Sequence, residues 1–380
     1  MTQTTSWYER HPRLTMTAVY ALILVCAELL VRAAAAAGYI PIGNFPTTDA
    51  TKRFYGDNNE HFGVWHYPNR ETHHFAPCYD AIYQSNSYGA RDKERSRHSD
   101  AARRAVVLGD SFVEGIGVNA EQRMTDLVEA ATGIEQLNFG TSGDFSSTQE
   151  WLLYRELASK FDHSDVLLFH LPANDFRDNN PSNFSPGRYR PYLRETDSGN
   201  LELFYTVDFE HRDKPKGFST ARAVRRTLYN NIYLLNVIRR SAQIYNKNSV
   251  ATESESSGEL QSTYDRFSDL DLKRLLFGYE NIAELAPDKR FTIFIIPRQS
   301  DFDKLHKAGY DFRIVKELQK FAAQHSNVEV VDLLPHLQAY ADRHKIDIDD
   351  LYLACDGHWT AQGNQAAAEA VVEAVYNSAE

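Results

Sequence analysis

Cysteine is scarce. Cys26, Cys78 and Cys355 are the only three in 380 residues. That is too few for a disulfide-stapled scaffold, and their spacing holds no zinc-ligand pattern. Positive charge is short as well, with 41 Lys and Arg against 52 Asp and Glu and a formal net charge of -11. A nucleic-acid binder would carry a basic field, so no nucleic-acid partner is expected. The Arg-Arg pairs at 103–104, 225–226 and 239–240 stand among acids and read as solvated faces. With 42% hydrophobic residues, a chain of this length can bury the core of one large domain or two smaller ones.

One long apolar run is present. Leu14 to Val31 is interrupted only by Glu28, and an alanine tail follows from Ala33 to Ala37. The run approaches the roughly 20 residues that span a bilayer. Arg10 and Arg13 precede it, which puts residues 1–13 in the cytoplasm and everything after Gly38 outside. A transmembrane anchor over 14–37 is one reading. A signal peptide cleaved after the alanine tail is another, although the run is longer than an ordinary signal core. A buried core helix is a third. Glu28 and Arg32 are spaced to pair along one helix face. Export would leave Cys78 and Cys355 in an oxidising compartment, either bridged or as two buried thiols.

Residues 38–103, rich in aromatics, His and Pro, read as an irregular flap or linker with a structured turn at Asn86 to Asp92. His61, His66, His73 and His74 fit no metal-site spacing and read as surface or packing residues. No metal or cofactor is expected.

The run Ala105 to Leu108 ends abruptly in Gly109-Asp110-Ser111 before a helix-compatible segment. That pattern is a buried parallel strand with a sharp exit. Ser111 is then either a helix N-cap or a nucleophile beside free backbone N–H groups. A helix over Glu121–Thr132 and a strand over Glu135–Phe139 follow, ending in Asn138-Phe-Gly-Thr-Ser-Gly143. Next come a helix over Ser146–Phe161 and a strand over Asp165–Leu171, ending in Pro172-Ala-Asn174-Asp175. Apolar strands alternating with helices predict a doubly wound parallel sheet, with its site beyond the strands' carboxyl ends. Ser111, Gly143 and Asn174 converge there by topology.

An insertion over about 176–263 interrupts the alternation. It holds a polar loop (178–190), a possible hairpin (201–209), a helix near 221–245 and an acidic, serine-rich stretch (249–262) that reads as a mobile loop. Helices near 270–285 and 311–325 and strands at 291–296 and 328–333 then resume, and an alanine-rich helix closes the α/β domain of 104–380.

Just before that helix stands Asp356-Gly-His358-Trp359. In an extended loop, side chains at i and i+2 share a side. Asp356 can then fix the His358 tautomer and leave the other ring nitrogen for the Ser111 proton. Alone, His358 reads as a packing residue. With Ser111, Gly143 and Asn174, nucleophilic chemistry is the better reading. Ser111 lacks the Gly-x-Ser-x-Gly context of an ordinary α/β-hydrolase.

These four blocks, in this order, resemble the SGNH, or GDSL, hydrolase family over about residues 86–378, with the insertion unmatched. The resemblance implies a flavodoxin-like three-layer α/β/α sandwich with a parallel sheet of about five strands. It implies Ser111 as nucleophile, His358 as base and Asp356 as acid. The oxyanion hole would be the N–H groups of Ser111 and Gly143 and the amide of Asn174. The chain departs from the family pattern twice. Pro172 stands where a glycine usually precedes the asparagine by two, and Cys355 stands where Asp-x-x-His would put the acid. The Asp-x-His-Trp ending is similar to SGNH-like proteins that O-acetylate bacterial exopolysaccharides and to membrane-anchored bacterial members.

The expected function is a serine ester hydrolase at the inner membrane. The apolar helix would anchor it by a single pass, with the catalytic domain on the periplasmic side. Its substrates would be O-acyl, especially acetyl, esters of carbohydrate or lipid. An O-acetyltransferase acting on an envelope polysaccharide and a non-catalytic polysaccharide-binding module remain alternatives. Oligomeric state is open.

Overall fold

The computed structural model describes residues 6–40, 54–76, 78–184, 187–213, 220–239, 241 and 262–377. The chain divides into two compact units. One is drawn from Met1–Thr47 and Phe218–Gly258, the other from Thr48–Gly217 and Glu259–Glu380.

The larger unit carries eleven described strands: β1 (Tyr55–Asn59), β2 (Gly63–His66), β3 (Glu71–Ala76), β4 (Tyr79–Gln84), β5 (Arg104–Gly109), β6 (Glu135–Asn138), β7 (Asp165–His170), β8 (Pro191–Glu195), β9 (Leu201–Tyr205), β10 (Arg290–Ile295) and β11 (Val328–Asp332). Five of them form one parallel sheet in the order β11-β10-β7-β5-β6. Numbered within the sheet from β6, that order is 2-1-3-4-5, the flavodoxin-like arrangement. The chain reverses its direction of travel across the sheet beside β5, and ligands bind such sheets beyond the strand ends at that switch point.

Val106, Val107 and Leu108 of β5, Val166 to Phe169 of β7 and Phe291 and Ile293 to Ile295 of β10 are all fully buried. A parallel sheet covered on both faces needs such continuous apolar strands. Each side chain so buried is worth about 1.5–3 kcal/mol against its exposed state. Helices Met124–Thr132, Ala361–Val371 and Leu333–His344 pack on one another in one layer, and Ser147–Glu156 packs on Asp269–Leu285 in another. Their ends are set by sequence. Ser146 with Gln149 and Ser268 with Asp271 form capping boxes. Thr360 caps the last long helix by accepting from Gly363 N at 3.1 Å.

Residues 55–84 are not an irregular flap. They form two antiparallel hairpins, β1–β2 and β3–β4. Strand β4 alternates buried and exposed residues with period two, a pattern hidden by its polar and aromatic composition. The insertion's hairpin pairs Pro191–Glu195 with Leu201–Tyr205, so it starts and ends earlier than 201–209. Both strands belong to the larger unit. The helix expected near 221–245 is present as Thr220–Asn231 and a second helical stretch at 233–239. The serine-rich stretch falls, but for Ser262, outside the described residues. Ser262 itself is buried, donating to Asp301.

In the smaller unit, Pro12–Ala36 is one helix of 25 residues, long and apolar enough to cross a membrane, with mean hydropathy 2.2 over its best window. By length and composition it is either a membrane span or a signal sequence. Glu28 and Arg32 pair on it at 2.7 Å.

Candidate active site

Strand β5 ends at Gly109. A Cβ there would stand 2.5 Å from Val113 Cγ2 and 3.2 Å from Phe169 Cβ, so no larger residue allows this tight exit. The short helix Ser111–Glu114 starts at once. Its N-cap is Asp110, whose Oδ1 accepts from Phe112 N at 2.9 Å. Ser111 is therefore the first helical residue and not the cap. Its hydroxyl is left for other partners, and its own N–H is one of the helix's orphan donors.

Ser111 Oγ lies 2.8 Å from His358 Nε2, and His358 Nδ1 lies 2.5 Å from Asp356 Oδ1. With the ring proton on Nδ1, the imidazole donates to Asp356 and accepts from Ser111. The loop that delivers the pair is a tight turn, not an extended segment. Asp356 N and Gly357 N both donate to Leu353 O, and Leu353 N donates to His358 O. Gly357 adopts φ +87°, and a Cβ there would stand 2.8 Å from Arg298 Nη2. The left-handed glycine, not period-two geometry, turns Asp356 and His358 toward each other.

Asn174, just past β7, donates from Nδ2 to Asp110 Oδ2 at 3.0 Å. The third block is thus tied to the residue before Ser111. Gly143 reaches the same region through its neighbour, since Ser142 N donates to Glu114 Oε2 on the helix Ser111–Glu114. Its carbonyl accepts from Arg188 at 3.4 Å and Arg190 at 3.3 Å. Among the described residues, no side chain or turn carbonyl accepts from the N–H of Ser111 or Gly143.

The electrostatics divide the carboxylates. Burial pushes Asp356 up. Its bond to His358, the charge of His358 and a bond from Tyr79 outweigh that and hold it below the usual range. Asp110 is shifted upward by burial, despite Phe112 N and Asn174. Glu114 is fully buried, yet it is lowered to about 2, because His66, Arg91 and Ser142 N outweigh burial. His66 Nε2 lies 3.3 Å from Glu114 Oε1, an ion-pair distance without hydrogen-bond geometry.

Several residues here had no signal in the sequence. Gly117 N donates to Tyr83 Oη (2.7 Å), which lies 2.8 Å from His74 Nδ1. His74 Nε2 lies 3.2 Å from Tyr79 Oη, which donates to Asp356 Oδ2 at 3.3 Å. A disulfide between Cys78 and Cys355 joins the tip of the β3–β4 hairpin to the residue beside Asp356. Of the four histidines set aside above, His66 braces the loop before Gly143, bonding Gly89 O and Thr141. His74 belongs to this chain, His73 pairs with Asp80, and His61 is exposed beside Glu60.

No protein-family model and no curated protein matches the chain. It is similar to several solved structures. One is a member of the lipolytic G-D-S-L family from Veillonella parvula DSM 2008, 14% identical, covering 72% of this chain and 98% of that one with a TM-score of 0.38. A lipase/acylhydrolase from Enterococcus faecalis is 14% identical, covering 72% and 96%, TM-score 0.37. A carbohydrate esterase family 2 enzyme from Corynascus thermopiles (Myceliophthora fergusii) is 11% identical, covering 75% and 68%, TM-score 0.37. At these identities and scores the likenesses bear on neither activity nor substrate.

Proposed function

We propose that the larger unit is a serine ester hydrolase of the SGNH type. One observation carries the reading: a single imidazole, His358, spans from Ser111 Oγ at 2.8 Å to Asp356 Oδ1 at 2.5 Å at the sheet's switch point. His358 takes the Ser111 proton as Ser111 attacks an ester carbonyl, and Asp356 stabilises the imidazolium. The N–H groups of Ser111 and Gly143 and the Asn174 amide hold the tetrahedral oxyanion. His358 then protonates the leaving alcohol. Water, deprotonated by the same ring, releases the acid from acyl-Ser111 and restores the serine hydroxyl.

The substrates are O-acyl, chiefly acetyl, esters of carbohydrate or lipid. The apolar helix anchors the protein in the inner membrane by a single pass, and the hydrolase unit works on the periplasmic side. Arg10 and Arg13 ahead of the helix support that orientation. The Cys78–Cys355 bridge supports an oxidising compartment.

The test is covalent labelling with a fluorophosphonate probe beside turnover of an aryl acetate. The wild type labels on Ser111. Ser111→Ala does not label and loses on the order of 10⁶ in kcat. A wild-type protein left unlabelled by the probe would end this reading. Product analysis on an acetylated glycan, with and without an acceptor sugar, tells release of free acid from transfer.

A further inference from the structure

Glu28 is an expensive residue. A carboxylate within an apolar span costs about 2.5–3.5 kcal/mol near its centre. From Leu14 to Cys26 and Ala27 the helix carries no charge. At 1.5 Å per residue this places Glu28 about 20 Å along it, against a hydrocarbon core about 30 Å thick. Its carboxylate is fully engaged. Oε1 accepts from Arg32 Nε at 2.7 Å and from Tyr233 N at 3.0 Å, and Oε2 accepts from Leu234 N at 2.8 Å. Tyr233 and Leu234 open the helical stretch at 233–239, so Glu28 caps that stretch from another helix. Arg32 closes the clasp by donating to Asn231 O and lying 4.5 Å over the Tyr233 ring.

The clasped segment is amphipathic. On Thr220–Asn231, Ala221, Val224 and Leu228 fall at i, i+3 and i+7, one stripe of the helix. Val224 is 57% exposed, Leu228 44% and, further on, Ile238 56%. Arg225 stands at one edge of that stripe and Arg226 on the opposite face. An apolar stripe with arginines on the polar side is the make-up of a helix lying in a membrane interface, with its cations at the headgroup phosphates.

We propose that residues 220–239 are a membrane-interface element. Val224, Leu228 and Ile238 sit in the outer leaflet of an anionic phospholipid bilayer, and the Glu28–Arg32 pair clasps the element to the anchor. The proposal rests on the anchoring reading above. It gives Glu28 a use in holding a second element at the membrane that a bare span does not require.

The test uses the full chain with Cys26→Ser in vesicles of phosphatidylcholine and phosphatidylglycerol. Single substitutions Val224→Cys, Leu228→Cys and Ile238→Cys carry an environment-sensitive nitrobenzoxadiazole label, and Ser198→Cys, in an exposed hairpin turn, serves as the aqueous control. The three segment labels should shift to the blue, be quenched by doxyl lipids and resist iodide, with the control reversed. Glu28→Leu should keep the chain in the vesicles yet lower lipid quenching at position 238 by about twofold or more. Labels as open to iodide as the control would overturn the proposal. So would labels reached by neither quencher, which would put protein, such as a second copy, on the stripe. The intact mass of membrane-extracted protein separately reads whether residues 1–37 are retained, so loss of the anchor is told apart from failure of the interface.

Discussion

Tyr79 Oη lies 3.3 Å from Asp356 Oδ2, the carboxylate oxygen that His358 does not use. Asp356 is thereby held from both sides. One donor belongs to its own loop and the other comes from a hairpin 277 residues earlier in the chain. Gly117 N donates to Tyr83 and Tyr79 donates to Asp356, so with the His74 proton on Nε2 the donor directions run one way along the whole chain. Burial lowers the His74 pKa, which favours the neutral ring that this direction needs. Asp356 is thus fixed before any substrate arrives.

Tyr79→Phe keeps the ring and removes the hydroxyl. A hydrogen bond to a charged acceptor is worth about 1.5–3 kcal/mol. Part of that should appear as misorientation of His358, so kcat is expected to fall by about tenfold while KM stays put. Steady-state kinetics on an aryl acetate, with circular dichroism as the fold control, decides it. A fall confined to KM would mean that Tyr79 meets substrate instead of Asp356.

Asn174 serves two neighbours. Its Nδ2 bonds Asp110, and its remaining N–H is proposed to meet the oxyanion. Asn174→Ala should cost on the order of 10²–10³ in kcat. It should also cost about 1–2 kcal/mol of stability, because Asp110 Oδ2 loses its partner. Urea unfolding and kinetics on the same preparation separate the two losses. An unchanged kcat would remove Asn174 from the oxyanion hole.

The Cys78–Cys355 bridge closes a sequence separation of 277 residues. In the chain-entropy account a loop that long is worth on the order of 5 kcal/mol through the unfolded state. Cys78→Ser and Cys355→Ser should each lower the thermal midpoint by a similar amount, and the double variant by no more than either. Dithiothreitol should lower the wild-type midpoint and leave the variants unmoved. Equal midpoints in all four proteins would mean that the bridge contributes nothing to stability.

Glu150 lies fully buried on Ser147–Glu156, and neither carboxyl oxygen has a hydrogen-bond partner among the described residues. Burial raises its pKa well above the ordinary value, and the charge of Asp110 adds to the rise. The folded state therefore keeps a proton that the unfolded state releases. That lowers stability progressively as pH rises from the unfolded value toward the folded one. Glu150→Gln has no such proton. Its gain in urea midpoint over wild type should widen from pH 5 to pH 8, and a gap that narrows would reverse the assignment.

The sheet was legible because its strands are short, its central strands β5, β7 and β10 carry apolar runs, and the first three strands of the sheet are ended by Gly109, by Asn138 before its glycine turn and by Pro172. These signals are local, and parallel strands display them on every residue. The hairpins at 55–84 were not legible. Only one face of β4 is buried, and its inward residues are tyrosines and an alanine set among polar neighbours. The contact of Asp356 with His358 was anticipated on a backbone that is not there. The i, i+2 argument assumed extension, while the turn depends on Gly357. Ser111 suits a cap by residue type, but Asp110 also does, and the helix starts one residue earlier than that reading needs, with Asp110 Oδ1 accepting from Phe112 N. Tyr79 gave no sign, since a hydrogen-bond partner 277 residues away leaves no trace in spacing, and the nearer partners of His74 and Glu114 match no motif.

Ser111 and His358 stand 247 residues apart along the chain. Asp356, His358 and Cys355 all lie in the last 26 residues, just ahead of the closing helix. During synthesis the sheet's first strands and Ser111 emerge long before their partners exist. A nascent chain thus carries Ser111 through 247 further residues before the imidazole that it meets in the folded protein is made. Any truncation that removes the closing helix with its preceding turn leaves Ser111 without that partner.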